Sequence, residues 1–90
     1  MSRLNIHITG VVQGVGYRYF VSRKAVEHGL RGWVKNHADG SIQIDAVGAK
    51  AHLEDFLKYV RIGPPGARVA GVTMQWHEDD PDYVGFDIRF

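Results

Sequence analysis

The sequence has no cysteine, almost no net charge and no long apolar run, and each lack closes off a class of function. Without cysteine there is no disulfide framework, no thiolate zinc site and no cysteine nucleophile. Eleven Lys and Arg against ten Asp and Glu give a formal charge of +1, which excludes a polybasic nucleic-acid footprint but leaves room for a small anion site. No segment approaches the roughly 18 consecutive apolar residues of a membrane span. The opening "MSRLNIHITG" also lacks the apolar core of a signal peptide. The expectation is a cytoplasmic protein with neither nucleic-acid nor membrane partners.

What is present suits one globular domain over residues 1–90. Apolar residues make up 44% and charged residues 23%, too apolar for a disordered chain and ordinary for a folded one. In "RLNIHITG", Leu4, Ile6 and Ile8 alternate with Arg3, Asn5, His7 and Thr9, the period of two of a half-buried strand. From Tyr17 the period changes: Tyr17, Phe20, Val21 and Ala25 share one side of a helix that Gly29 should stop.

"LRGWVKNHADGSIQIDAVG" reads as a hairpin about Asp39-Gly40. In "AHLEDFLKYVRIGPPG", Leu53, Phe56, Leu57 and Val60 fall at i, i+3, i+4 and i+7. Glu54 and Asp55 come early, Lys58 and Arg61 late, and Gly63-Pro64-Pro65 terminates the helix. Val72, Met74 and Trp76, then Phe86, Ile88 and Phe90 after an "EDDPD" turn, alternate as two more strands. The order predicts an α+β fold: a ferredoxin-like βαββαβ sandwich with a short final strand, its antiparallel sheet covered on one face by two helices.

The loop "VVQGVGY" would deliver the chain from the first strand to a helix N-terminus, where unpaired N–H groups and the positive end of the dipole favour an anion. Gly14 and Gly16 permit backbone angles closed to other residues and let a ligand approach closely, and Arg18 would bring a planar, permanently charged fork to the rim. Two readings stay open on this basis: a phosphate cradle, or glycines that serve turn geometry beside a solvated arginine. It is neither a P-loop, since no Lys-Ser or Lys-Thr follows, nor a dinucleotide fingerprint, which would need glycine at Tyr19.

"GVVQGVGYR" (Gly10–Arg18), followed fourteen residues after Arg18 by "GWVKNHADGSIQIDAVG" (Gly32–Gly48), resembles the two signature segments of the acylphosphatases. The resemblance spans essentially the whole chain. It implies that Arg18 binds the substrate phosphate, that the amides of Gly14, Val15, Gly16, Tyr17 and Arg18 cradle it, and that Asn36 orients the attacking water. It implies hydrolysis of a small-molecule acyl phosphate without metal or other cofactor. Val11 stands where a basic residue is common, which removes one positive charge near the seat. Ile42 replaces a usual valine, and Tyr17 a phenylalanine.

The chemistry agrees with so sparse a set. An acyl phosphate is an activated mixed anhydride whose carboxylate leaves unprotonated, so the site must only hold the phosphoryl group, spread its charge and place a water in line. Without the resemblance, Asn36 would read as a turn residue. His7, His28, His37, His52 and His77 show no metal-ligand spacing, and Glu78, Asp79, Asp80 and Asp82 lack an EF-hand pattern and read as a solvated turn. "RGWVKN" matches the RNA-binding sheet pattern poorly. The rival reading is a noncatalytic phosphate- or small-ligand-binding regulatory domain on the same scaffold, against which Arg18 and Asn36 together argue. A chain this short is expected to stand outside the larger carbamoyl-transfer enzymes that contain the fold, and the polar outer sheet face predicts a monomer.

Overall fold

The computed structural model describes residues 1–90 in seven elements: β1 Ser2–Val11, α1 Tyr17–Glu27, β2 Arg31–Asn36, β3 Ile42–Gly48, α2 Lys50–Ile62, β4 Arg68–His77 and β5 Phe86–Arg89. The strands form one sheet in the order β4-β1-β3-β2-β5. Apolar positions meet across the central strands: Leu4 faces Ala46, Ile6 faces Ile44 and Ile8 faces Ile42, and all six are sealed from solvent. Val34 joins this stripe beside Ile44.

The helices close over that stripe. Tyr17, Val21 and Ala25 of α1 and Leu53, Phe56 and Val60 of α2 pack into the same core. Each fully buried large side chain contributes about 1.5–3 kcal/mol relative to exposure, so this two-layer arrangement carries most of the stability. α2 begins at Lys50, so its first turn holds no acid and Glu54 and Asp55 fall in the second. Asp55 still reaches Lys58 at 3.5 Å.

β5 departs from the purely antiparallel sheet expected, because it pairs with β2 in parallel. β4 ends at the end of the sheet where β2 begins, beside Arg3. A chain crossing along that end must therefore enter the far edge running with β2. Residues 78–85 make this crossing as a strap, not the simple turn expected. Arg3 Nε donates to Asp79 at 3.0 Å, Arg31 Nη2 donates to Asp80 at 2.9 Å, and Arg31 Nη1 donates to the Tyr83 carbonyl at 3.0 Å. The Tyr83 hydroxyl donates to Asp45 at 2.6 Å and accepts from Trp33 Nε1 at 3.1 Å. The arginines hold the Asp79 and Asp80 carboxyls below the usual carboxylate range, with the Asp82 amide adding to the effect at Asp80.

The edges are less well covered than alternation suggests. Trp76 pairs with Leu4 in register, yet on its edge strand it remains 38% exposed, with the Lys50 ammonium 5.5 Å from the ring centroid. Phe90 lies just past β5 and is 90% exposed. At the other end of the sheet β1 is bulged between Thr9 and Gly10 where it pairs with β4. Gly10 has φ +126, and a Cβ there would lie 2.1 Å from the Arg68 carbonyl oxygen, so only glycine lets the chain pass from strand to loop.

Candidate active site

The loop between β1 and α1 is anchored at both ends by buried side chains and left polar in between. Val12 and Tyr17 are buried in the core, and the Tyr17 hydroxyl donates to the Val60 carbonyl. Burial pushes the Tyr17 phenol well above its ordinary range, so it stays neutral. Gly14 and Gly16 have φ of +76 and +74, and a Cβ at either would meet nothing within 4 Å. Their glycine identity therefore answers to the left-handed backbone and not to crowding by the protein.

Gly16 is also the N-cap of α1, without a side-chain cap and without an acid in the first turn. The first intrahelical bond across it runs from the Phe20 amide to the Gly16 carbonyl at 3.0 Å, and the amides of residues 14 to 19 donate to no acceptor within the protein. A row of free N–H groups at the positive end of a helix, with no carboxylate to neutralise it, is an anion seat.

Asn36 reaches the same place from the sheet. It lies two residues beyond Val34, hence on the helix side, at the end of β2 where α1 begins. Its Oδ1 is the one buried side-chain polar atom in the protein without a hydrogen-bond partner. Such an atom costs about 1–3 kcal/mol unless something occupies the space before it. Val12, Gln13, Gly14, Gly16, Tyr17, Arg18, Tyr19 and Asn36 line a cleft of about 120 Å³. The Val15 side chain packs against the core and is not part of the cleft lining, and its amide, the group expected to face the anion, is among the free ones.

Arg18 is held at the rim from an unexpected direction. Its Nη1 donates to the Arg89 carbonyl at 2.9 Å, and its guanidinium carbon lies 4.6 Å from the centroid of the Phe90 ring. The end of β5 thus aims the arginine while leaving the rest of its N–H fork free for an anion.

Gln13 fixes the seat relative to Asn36. Its Nε2 donates to the His37 carbonyl at 2.7 Å and to the Ser41 carbonyl at 3.0 Å, clamping the loop to the β2–β3 turn. That turn is braced in its own right: Asp39 Oδ1 accepts from the Ser41 amide at 2.9 Å and its hydroxyl at 2.6 Å. These bonds, the hydroxyl foremost, hold the Asp39 carboxyl below its usual range. Gln13, Tyr19 and Phe90 were not singled out from sequence. Gln13 lies inside the motif, but nothing in the sequence reveals that its amide spans to the hairpin.

No histidine, aspartate or glutamate lines the cleft. His7 and His37 face each other across the open side of the sheet, with ring centroids 6.2 Å apart. His28 packs against Phe56 and Tyr59. No three His, Asp or Glu side chains converge as metal ligands. A larger hollow of about 230 Å³, lined by Asn5, His7, Thr73, Met74 and Gln75, lies on the open face and holds none of the free amides.

Comparison with known proteins gives this geometry a lineage. Residues 4–88 match the acylphosphatase family profile. An acylphosphatase of Archaeoglobus fulgidus is 44% identical over 100% of both chains, and one of Thermus thermophilus is 47% identical over 88% of this chain and 90% of its own. The crystal structure of the acylphosphatase from Bacillus subtilis superposes with a TM-score of 0.98 at 36% identity, covering 100% of both chains. Profile, relatives and solved structure agree over nearly every residue, and the chain belongs to the acylphosphatase family.

Proposed function

We propose that Arg18, Asn36 and the amides of residues 14 to 18 form the hydrolytic site of this acylphosphatase-family enzyme. Its activity is hydrolysis of the carboxyl–phosphate bond of acyl phosphates to a carboxylate and inorganic phosphate. The loop amides and the free part of the Arg18 fork hold the phosphoryl oxygens and take up charge as the bond breaks. Asn36 holds a water through its carboxamide, in line with the leaving oxygen. The water oxygen bonds to phosphorus, the phosphorus–acyl oxygen bond breaks, and the carboxylate leaves with the electron pair. The water's proton passes to a phosphate oxygen.

The observation that carries this assignment is the unpartnered, buried Oδ1 of Asn36 in the same cleft as a row of free amides. The absence of any side-chain base from the cleft supports proton transfer to the substrate itself. We assign the reaction no metal, and place the enzyme in the cytoplasm as a monomer, the polar outer face of its sheet supporting the last point.

The test is hydrolysis of benzoyl and acetyl phosphate with chelator present. Arg18→Ala and Asn36→Ala should each lower turnover by a factor on the order of 10²–10⁵, the range for removing a positioned donor or an arginine clamp. Near-normal turnover in either folded variant, or loss of wild-type activity on chelation, refutes the corresponding assignment.

A further inference from the structure

In-line attack fixes where the acyl group must go. With the water at Asn36, whose Oδ1 is buried, the leaving carboxylate departs on the opposite, solvent side of the phosphorus. The cleft is about 120 Å³, well below the roughly 300–1,000 Å³ of pockets that enclose organic ligands. It can take a phosphoryl group and a water, and the acyl group must rest outside, against the rim.

The exposed rim of the cleft carries aromatic rings. Of the hydrophobic residues lining the cleft, Val12 and Tyr17 are committed to the core, whereas Tyr19 is 70% exposed. Tyr19 lies in the first turn of α1, next to the arginine assigned to the phosphate. Phe90 stands beyond that arginine with its ring against the guanidinium and is 90% exposed. Neither ring is needed by the core. Tyr19 lines the cleft and Phe90 stacks on the guanidinium at its rim, so an acyl group resting outside the cleft has an aromatic surface within reach of the phosphate seat.

We propose that Tyr19 is the acyl-contact residue of this enzyme, an aromatic wall for substrates whose acyl group is aryl or bulky and apolar, with Phe90 extending it. This rests on the assignment of Arg18 and Asn36 above. Aromatic contacts of this kind change affinity about twofold to tenfold. The measurement is kcat/KM for benzoyl phosphate relative to acetyl phosphate.

Tyr19→Ser should lower that ratio about twofold to tenfold, and Tyr19→Phe should restore it, because the ring and not the hydroxyl makes the contact. In the wild type, benzylphosphonate should inhibit about twofold to tenfold more tightly than methylphosphonate. An unchanged ratio in Tyr19→Ser, an equal loss in Tyr19→Phe, or equal inhibition by the two phosphonates overturns the acyl contact. These outcomes leave the hydrolytic assignment standing, whereas full activity of Arg18→Ala toward both substrates overturns that assignment instead.

Discussion

The two ends of the sheet treat their polar groups in opposite ways. At the end crossed by residues 78–85, the buried carboxylate and the groups around it are tied to one another. Asp45, 1% exposed, accepts from Arg3 at 3.1 Å, Asn5 at 3.3 Å and Tyr83 at 2.6 Å, while Asp79 accepts from Arg3 Nε and Asp80 from Arg31 Nη2. At the other end, the amides of residues 14 to 19 and Oδ1 of Asn36 have no partners within the protein. The first end is built to stay as it is. The second is held open by its surroundings, through Gln13, the Asp39–Ser41 turn and the grip of β5 on Arg18. Saturation marks a structural join, and withheld bonds mark a place kept for a ligand.

That contrast predicts a separation of stability from turnover. Asp45→Ala strips a buried carboxylate from Arg3, which keeps Asp79, and leaves the Tyr83 O–H without its acceptor, and should cost about 1–3 kcal/mol in urea unfolding. The turnover of the molecules that remain folded should stay within about twofold of wild type, since no atom of that cluster lines the cleft. A large loss of activity per folded molecule would break the comparison.

Gln13→Ala tests the opposite end. It releases the seat from the hairpin carrying Asn36, and a displacement near 1 Å costs up to about 10² in rate, so kcat should fall about tenfold to a hundredfold. Stability should drop by only about 0.5–1.5 kcal/mol, the net worth of an ordinary hydrogen bond, because the His37 and Ser41 carbonyls keep the Gly40 and His37 amides as donors. Steady-state kinetics beside an unfolding curve separate the two effects.

The smallest effect is the response to acid. Asp79 and Asp80 have folded-state carboxyls held below the ordinary value of 3.8, so the stability they add is complete above that value and is lost as pH falls through the lower folded ones. Asp39 follows the same sign at the other end. Melting temperature should be flat near neutrality and decline below about pH 4. Asp79→Asn with Asp80→Asn should lower it at neutral pH and flatten the acid decline. An unaltered acid profile would show that the strap ion pairs are solvated too well to matter.

Much of this could be seen in the sequence. The core stripe of Leu4, Ile6 and Ile8 and the helix face of Leu53, Phe56 and Val60 follow from periodicity, because burial on one side imposes its spacing on the residue types. Arg18 and Asn36 came from their motifs, and the structure brings them to one cleft. The strap was harder. Residues 78–85 have no periodicity, and their acids read as solvated because the arginines that bind them, Arg3 and Arg31, lie 76 and 49 residues away from Asp79 and Asp80 in the chain. Trp76 and Phe90 alternate properly but lie where the sheet runs out of cover, and alternation carries no information about edges. The amide of Gln13 bridges 24 residues to His37, a relation no local pattern encodes.

The bond from Arg18 to the Arg89 carbonyl ties the arginine to the last strand of the sheet. A chain with β1 to β4 assembled but β5 undocked would own the loop, the hairpin and most of the core, yet its arginine would swing without direction. With Arg18 in its proposed role, turnover in this molecule should report completion. It reads whether the final strand has closed the edge, and a refolding experiment followed by activity would time that closing step apart from the collapse that precedes it.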